Sequence, residues 1–546
     1  MKRTITILFV LLGLCAFAQE KVSIVQQAMR DELERNMKEL KADGFEKPFF
    51  INYTLLDETS VTITATLGAL TNSIETKNRA ALSTRMLVGD YDFNDESLDN
   101  NLYSQPQANS IELPLDDDYL GIRRSLWIST DNVYRNASRQ FAKNKELLKE
   151  QNKPLAEVPH RSFAKVSPSK IDIEATEVKF DKTSTEDYVR KVSAVLLNYP
   201  EIISSNVAFI YKRGYRYLVN SEGSMNKVPT GSVSLMISVG LRTSEGEFVF
   251  DNILHHYITP ELPAIETTIE EAKQLALRII AKSKAPSMQE SYVGPVLFED
   301  EEVASLVVAQ LFGGEENLMA TNNIPPLKGF SYEQKNTMDK QLGKSLFNEG
   351  LTVKALPKMK KYGSETLLGS FEVDEEGIVP ADETVIVENG ILKVLLNDRT
   401  ITKPGQVANG LGDGPGVLSI AFKTTIPSGA MKTKLLEQAK KDGLDYALIV
   451  RSNSQTTGGA LNVFKVYVSD GREELVRDAA MKELSRRNFR KITGASNEVS
   501  VYHLGQERSQ LSVICPKAML LEEVEFANST FATMKDEEYV PSPLKK

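Results

Sequence analysis

Hydrophobic side chains recur every three or four residues between residues 22 and 43, from Val22 through Met29 to Leu40, and again between residues 121 and 151. This spacing places the side chains on one face of a helix, so we predict a helix in each segment. We predict further helices over residues 185–198, 265–283, 300–312, 431–441 and 472–487.

Alternating hydrophobic and polar residues predict strands between the first helices. In residues 60–67, Val61, Ile63 and Ala65 alternate with threonines, which is typical of a strand with one buried face and one wet face. We predict other strands over residues 49–56, 73–88, 206–212, 216–220, 232–241 and 247–253. A helix followed by antiparallel strands thus occurs twice, which suggests a duplicated module in the first half of the chain.

The pattern changes after Ala285 and Pro286, where short strands, turns and glycines become dominant. Glu388-Asn389-Gly390 between two hydrophobic runs, for example, predicts a β-hairpin. We therefore predict an α+β fold. A helix-on-antiparallel-sheet domain would span residues 19–285, with a helical and linker-like insertion over about residues 94–170, and a mostly β domain would span residues 286–546.

The first residues have the features of a secretory signal peptide. Lys2 and Arg3 precede an apolar run that ends in Ala16-Phe17-Ala18, so we expect cleavage near Ala18, a signal segment of residues 1–18, and a periplasmic or extracellular protein. Leu14 disfavours lipidation of Cys15, because a bacterial lipobox has a small residue at that position. No later run reaches the roughly 18 apolar residues of a spanning helix, so we expect no membrane span.

Charge and cysteine content narrow the classes of function. The net charge is −9 and no basic cluster occurs, which argues against nucleic-acid binding, since that requires patches that neutralise phosphates. Cleavage near Ala18 would remove Cys15 and leave Cys515 as the one remaining cysteine, so we expect no intramolecular disulfide. Cys515 lies in an apolar run and is predicted to be a buried small hydrophobic residue.

Several short motifs follow one another in a fixed order along the chain. They are Tyr217-Leu218-Val219-Asn220-Ser221-Glu222-Gly223, Gly294-Pro295-Val296-Leu297-Phe298-Glu299, Phe371-Glu372-Val373-Asp374-Glu375-Glu376-Gly377-Ile378-Val379-Pro380, Thr384-Val385-Ile386-Val387-Glu388-Asn389-Gly390, Asn397-Asp398-Arg399 and Ala408-Asn409-Gly410. The ordered series resembles the TldD/PmbA family of metallopeptidase-related proteins, also called the modulator of DNA gyrase family. The resemblance implies a TldD/PmbA-like fold.

The resemblance also implies where a zinc site would lie. Peptidase members carry His-Glu-x-x-x-His on the helix after the Gly-Pro-Val-Leu-Phe strand, where two histidines about one turn apart share zinc and the glutamate serves as general base. In this chain Val308, Ala309 and Gly313 occupy those His, Glu and His positions. We therefore expect no metal cofactor and no family-type catalytic residue, with zinc at a relocated site as the alternative. The peptidases' third ligand, a late cysteine, has no convincing counterpart in Cys515.

The helix that carries these positions also has a structural pattern. Val303, Leu306, Val307 and Leu311 form one apolar stripe, and Val308 and Ala309 extend the apolar surface. A helix that is apolar on most sides is buried. We predict that core side chains fill the face where the catalytic residues would lie.

Other candidate sites have a structural interpretation. His255 and His256 could join a metal site near Asp251, but neighbouring strand residues point to opposite faces. Asp116-Asp117-Asp118 lacks the alternating ligands of a calcium loop and is expected to precede a helix N-terminus. The glycines of residues 410–416 lack the lysine of a phosphate loop and are predicted to form a surface loop. We expect His160 and His503 to be ordinary structural or surface residues rather than metal ligands.

Three functions remain open. The first is a non-catalytic, PmbA-like subunit that binds an extended peptide and supports proteolysis or peptide maturation, as a homo-oligomer or in a heteromer with a TldD-like catalytic subunit. The second is a metallopeptidase with a relocated metal site that recruits His255, His256 or nearby carboxylates. The third is a structural envelope protein.

Overall fold

The computed structural model describes residues 23–98, 111–158, 160–313, 317–320, 338–403, 405–451, 461–506, 509–528 and 543–544. The predicted signal segment lies outside these residues. In the described part we find no helix with the length and hydrophobicity that crossing a membrane requires.

Helices and long strands make up the first half, and short strands make up most of the second. The helices are α1 (Ile24–Glu39), α2 (Tyr119–Gln151), α3 (Lys182–Ala194), α4 (Ile265–Lys284), α5 (Glu301–Phe312), α6 (Met431–Lys441) and α7 (Arg486–Arg490). The strands of the first half are β1 (Pro48–Thr66), β2 (Ala69–Val88), β3 (Ile111–Glu112), β4 (Ser162–Phe163), β5 (Lys170–Asp172), β6 (Ser204–Asn220), β7 (Met225–Arg242) and β8 (Phe248–Tyr257). Those of the second half are β9 (Tyr292–Glu299), β10 (Leu351–Ala355), β11 (Lys361–Tyr362), β12 (Glu365–Thr366), β13 (Thr384–Glu388), β14 (Ile391–Leu392), β15 (Thr400–Ile401), β16 (Val417–Phe422), β17 (Tyr446–Arg451), β18 (Asn462–Tyr467), β19 (Glu473–Val476), β20 (Ala479–Met481), β21 (Ile492–Ala495), β22 (Val499–Gln506), β23 (Ser509–Pro516) and β24 (Ala518–Asn528).

The first half forms one sheet with the order β3-β2-β1-β6-β7, which β5 and β8 extend along different parts of β7. Helices α1 and α2 cover one end of a single face of this sheet, over Ile51 and Tyr53. Helices α3 and α4 cover the other end of that face, over Val61 and Ile63. The alternation along β1 therefore produces two apolar cores on one side of the sheet. The chain twice forms a helix, then two long strands, then another helix. The two units meet at the central β1–β6 pair.

The prediction of three strands over residues 49–88 is wrong in one respect, because β1 runs without a break through Asp57, Glu58 and Thr59. These polar residues lie between the two helix-covered ends, where the strand is only half-buried. The same holds for β6, for which the pattern predicts two strands. Its Gly214 lies opposite Glu58, and a Cβ at Gly214 would overlap the backbone of Asp57. The glycine permits a close backbone approach rather than a turn.

The second half contains two larger sheets with α5 between them. One sheet has the order β14-β13-β10-β16-β23-β22, and the other has the order β19-β18-β17-β9-β24-β20, with β21 also paired to β24. One large core joins the inner faces of both sheets to α5, and α6 covers the outer face of the second sheet. This architecture confirms the predicted α+β fold with a mostly β second half.

The helix predicted over residues 472–487 is wrong. This segment forms β19 beside β18 and β20 beside β24, and α7 begins only at Arg486. Between the two strands, Arg477 donates to the carbonyl of Ala285 at 3.1 Å and forms an ion pair with Glu245 at 2.9 Å. Pairing with distant strands thus outweighs the local helical pattern.

Several local predictions are confirmed. Asn389 and Gly390 have φ angles of 48° and 77°, as the two positions of a type I′ hairpin turn require. Asp118 caps α2 by accepting the N–H groups of Leu120 and Gly121, which is where a carboxylate at a helix N-terminus is favourable. Cys515 is a free thiol buried in β23.

Arg399 joins the two halves of the chain. Its fully buried guanidinium lies 4.0 Å from the ring centroid of Phe163 and 4.8 Å from that of Phe50. It donates twice to the carbonyl of Ala164, at 2.9 and 2.6 Å, and pairs with Glu222 at 2.7 Å. A planar guanidinium suits this position because it can stack on rings while it donates in its own plane.

We expect Arg399→Ala to destabilise the protein by about 3–5 kcal/mol, because it leaves the carboxylate of Glu222 mostly buried without its cation. The measurement is the urea concentration at half-unfolding. The matched control is Arg213→Ala, whose exposed pair with Glu75 spans 3.6 Å and should contribute less than about 1 kcal/mol. Equal effects of the two substitutions would contradict a joining role for Arg399.

Candidate functional site

The helix α5 carries the three positions of the family's zinc motif. Val303 and Leu311 are buried as predicted. The prediction that core side chains fill the catalytic face is wrong, however, because Val308 is half-buried and Ala309 and Gly313 are exposed. The face is accessible, but its side chains offer neither a metal ligand nor a proton acceptor.

The backbone at Gly313 also departs from what a zinc ligand needs. The helix ends at Phe312, and Gly313 has φ −90° and ψ 164°, outside the helical region. A Cβ at this position would lie 2.5 Å from the carbonyl oxygen of Ala309. Residues 308, 309 and 313 therefore do not fit zinc. Within the described ranges, no three His, Cys, Asp or Glu side chains converge as a metal site.

We expect the triple substitution Val308→His, Ala309→Glu and Gly313→His to leave zinc unbound at equimolar concentration, because the histidine at residue 313 would lie off the helix and against the Ala309 carbonyl. The measurement is zinc content after dialysis, with circular dichroism to confirm folding. The double substitution Val308→His and Ala309→Glu serves as the control for stability, since it leaves Gly313 unchanged. One tightly bound zinc per chain in the triple variant would show that the helix end can present a ligand at residue 313.

A large cleft among the described residues lies elsewhere, on the sheet face opposite the four helices. It runs between the first sheet and the loops and strands of the second half, and it has two connected parts that share Ser232, Leu368 and Gln510. We call it the groove. Its acidic half has a volume of about 420 Å³ and its apolar half about 400 Å³. Cavities of this size accommodate several side chains of a ligand.

An open strand edge forms one wall of the acidic half. Along β7, β5 pairs with residues 225–227 and β8 pairs with residues 233–242. Residues 228–232 between them pair with β6 on one side and with no described strand on the other. The carbonyl of Lys227 points away from β6 and accepts the N–H of Ile173. In a strand, the backbone groups of every second residue point to the same side. The carbonyl of Pro229 and both backbone groups of Gly231 therefore also point away from β6, toward the open side.

The acidic half is lined by more carboxylates than cations. The carboxylates are those of Glu58, Glu372, Asp374, Glu375 and Asp413, and the cations are Arg216 and Lys360. Arg216 lies 3.4 Å from Glu375, and Lys360 lies 2.8 Å from Glu372. Gly414 and Gly416 of the predicted glycine loop also line this half, so the loop forms part of a groove.

Asp374 is the most deeply buried of these carboxylates. Only 3% of the residue is exposed, and its Oδ1 accepts the N–H groups of Glu376 and Ile378 at 3.0 and 2.7 Å. Its Oδ2 has no hydrogen-bond partner in the described part of the chain. Burial raises the pKa of Asp374 to about 8, against the opposite effect of the Ile378 N–H. The side chain therefore holds a proton at neutral pH.

We expect Asp374→Asn to raise the melting temperature at pH 8.5 and to change it much less at pH 4. The folded chain holds the proton more tightly than the unfolded chain, where the pKa is near 3.8, so stability falls as pH rises from about 4 to about 8. Asparagine keeps the Oδ1 acceptor but cannot ionise. The measurement is thermal unfolding at both pH values, with Asp382→Asn, a largely exposed position, as control. Equal shifts at the two pH values would contradict a raised pKa.

The apolar half brings together two histidines that are distant in sequence. Ile210, Met236 and Leu254 line it, with His256 from β8 and His503 from β22. Burial lowers the pKa of His503 to about 4, and the nearby His256 acts in the same direction. His503 is therefore neutral near pH 7. Most of the other side chains that line this half are apolar, and Lys212 also lines it.

Two other sequence candidates, His255 and His160, lie apart from the groove. His255 points to the helix-covered face and contacts Glu271 of α4 at 3.0 Å, whereas His256 faces the groove, so their predicted divergence is confirmed. His160 bonds to the carbonyl of Val158 at 2.7 Å, near α2.

The groove could not be predicted from the sequence, because Pro229 and Gly231 are residues that usually favour the end of a strand. In a long strand the same residues indicate an unpaired edge.

The second half of the chain matches a known family domain. Residues 293–528 match the family model for the PmbA/TldA metallopeptidase C-terminal domain. This match confirms the resemblance of the ordered motifs to the TldD/PmbA family.

Curated relatives and solved structures agree with this assignment. The chain is 25% identical over 232 residues to a metalloprotease of Methanothermobacter thermautotrophicus, covering 39% of this chain and 44% of that protein. It is 24% identical over 245 residues to a metalloprotease of Methanocaldococcus jannaschii, covering 44% of this chain and 47% of that protein. The chain thus spans a little under half the length of these curated relatives.

The fold resembles solved structures over most of the chain. A proposed modulator of DNA gyrase from Bacteroides thetaiotaomicron has a TM-score of 0.59 at 12% identity, with 92% of this chain and 98% of that chain covered. One from Thermotoga maritima has a TM-score of 0.56 at 16% identity, with 91% and 100% covered. TldE from Thermococcus kodakarensis has a TM-score of 0.56 at 12% identity, with 92% and 100% covered.

Proposed function

We propose that this chain is a non-catalytic, peptide-binding member of the TldD/PmbA family that supports proteolysis or peptide maturation by a catalytic partner. The observation that carries this proposal is the open edge of β7 inside the groove. Within residues 228–232, Pro229 and Gly231 turn outward backbone groups that pair with no described strand, along the wall of the acidic half. An extended peptide is the ligand that such an edge recognises, because it can add as a further strand.

The chemistry of the groove supports binding rather than cleavage. Strand addition uses backbone hydrogen bonds for affinity and pockets for side-chain selection. The residues at the family's zinc positions, Val308, Ala309 and Gly313, supply no ligand. His256, the candidate for a relocated site, meets His503 among apolar side chains and is separated from His255 by the sheet. These features favour the first of the three functions that the sequence left open.

The partner and the location are part of the proposal. TldE from Thermococcus kodakarensis has a related fold over nearly the whole chain, which is consistent with a PmbA-like subunit beside a TldD-like one. Export through a signal peptide cleaved near Ala18 would place the chain in the periplasm or outside the cell. Mass spectrometry of the protein from its native host would identify the mature N-terminus, and an intact Met1 in a cytoplasmic fraction would contradict export.

We expect Gly231→Pro to weaken binding of an extended peptide at least 10-fold, because proline removes the outward N–H of residue 231. The N–H points away from β6, so the ladder between β6 and β7 keeps its hydrogen bonds. The measurement is fluorescence anisotropy with a labelled unfolded peptide. Gly231→Ala is the matched control, since it keeps the N–H and its Cβ would lie 3.7 Å from its nearest neighbour, the carbonyl oxygen of Lys212.

Equal binding by the two Gly231 variants would contradict strand addition. The same preparation of the wild-type chain should contain no stoichiometric zinc and should cleave no peptide by itself. Proteolysis by the pure chain that a chelator abolishes would contradict a non-catalytic role. Pull-down from the native host should recover a homologue with an intact His-Glu-x-x-x-His, and a chain that binds neither peptide nor such a homologue would favour a structural role.

A further inference from the structure

The carboxyl groups that line the acidic half outnumber its cations. Arg216 and Lys360 are each paired with a carboxylate, Glu375 and Glu372 respectively. Asp374 and Asp413 line the same space and form no ion pair within the described residues. Asp413 is exposed at the rim, where its Oδ2 accepts the N–H of Glu375 at 2.9 Å. The acidic half therefore has an excess of carboxylate groups that a positive charge would complement.

The buried carboxyl of Asp374 gives a second, independent indication of a ligand. Its Oδ2 lacks a hydrogen-bond partner among the described residues, although only 3% of Asp374 is exposed beside the groove. Buried polar atoms are normally satisfied, and an unsatisfied one is costly. A cation bound in the acidic half beside Asp374 would stabilise its ionised form. The carboxylate would in turn attract the cation strongly, because the two charges would be close together in a region of low dielectric constant.

The apolar half of the groove sets a second requirement for the peptide ligand, which is an apolar side chain. It adjoins the acidic half at Leu368 and at Ser232, which is the last residue of the open edge. Its walls are Ile210, Met236 and Leu254 on the sheet side, with Leu504 and Leu511 opposite. A peptide that pairs with Gly231 can thus place one side chain among the carboxylates and a nearby one among these apolar walls, since successive residues of an extended chain advance about 3.3 Å.

We propose that the groove selects peptides that carry a positive charge within a few residues of a large apolar side chain. This inference rests on the proposed peptide-binding function and deepens it by naming the class of ligand. Electrostatic complementarity supplies the discrimination, because an acidic peptide would bring like charges together in a partly desolvated space.

The first experiment compares ten-residue peptides with acetylated and amidated ends, so that one side chain supplies the only charge. The reference peptide has a single lysine two residues from a leucine in a serine and threonine background. We expect replacement of its lysine by glutamine to weaken binding about 10-fold, replacement by glutamate to weaken it more, and replacement of its leucine by serine to weaken it about 10-fold. Equal affinity for all four peptides would overturn the inference and leave the proposed function intact, whereas binding of none would remove the proposed function.

The second experiment assigns the charge preference to particular carboxylates. The measurements are made at pH 8.5, where Asp374 is largely ionised. Asp374→Asn and Asp413→Asn keep a hydrogen-bond acceptor at each position while removing the charge, so each should reduce the preference for lysine over glutamine. Glu437→Gln on α6 is the matched control, because it removes one exposed negative charge outside the groove. Met236→Gln should reduce the preference for leucine over serine and leave the lysine preference unchanged. An unchanged lysine preference in both aspartate variants would overturn the inference.

The pH dependence separates a binding role of Asp374 from a structural one. The charged groups that face it are Asp413, Asp398 and Arg216, with Glu375 beside Asp413. Because the lysine peptide stays positive up to pH 9, its affinity should rise between pH 6.5 and pH 9 as Asp374 loses its proton. The glutamine peptide should show no such rise, and neither should Asp374→Asn with the lysine peptide. A rise of equal size for both peptides would overturn the assignment to Asp374.

Discussion

The buried guanidinium of Arg399 is the interaction on which the arrangement of the two halves depends. It lies against the rings of Phe50 and Phe163, and its partner Glu222 belongs to the turn between β6 and β7. The backbone N–H of Arg399 donates to Glu376 at 2.7 Å, and Glu376 also pairs with Arg85 of β2. A buried charge network of this kind tolerates one geometry, because each unpaired member would be costly. The groove exists because this network holds the loop after Phe371 against the open edge of β7.

The motifs that identify the family are largely the members of this network. Glu222, Glu376 and Arg399 come from three of the motifs, and Asp374 belongs to the same motif as Glu376. In sequence these motifs look like turns with charged residues. In the structure they connect the halves and line the groove, whereas Val308, Ala309 and Gly313 at the zinc-motif positions offer no metal ligand. An ordered series of motifs can therefore indicate the fold more reliably than the activity.

Much of the fold could be predicted from the sequence, because helix periodicity and turn residues act over short distances. Helix α6 and the hairpin at Asn389 follow from local patterns alone. The continuous strands β1 and β6 could not be predicted, because the requirement at Gly214 is set by the backbone of Asp57 in another strand. The groove was also inaccessible to local reasoning. The meeting of His256 with His503, and the open edge at Gly231, result from pairings between residues that are far apart in sequence.

The packing of α5 supports the proposed non-catalytic role. The helix packs between two sheets, and its core contacts extend to Leu504 and Leu511, which also form a wall of the apolar half. Of the three zinc-motif positions, Ala309 and Gly313 are exposed and Val308 packs at the margin of the core, so the fold does not require zinc ligands there. Losing the apolar stripe of Val303 and Leu311 would remove the support of the groove wall. Because the groove depends on the buried face of α5 and a zinc site would use the other face, the proposed peptide binding does not require zinc ligands on this helix.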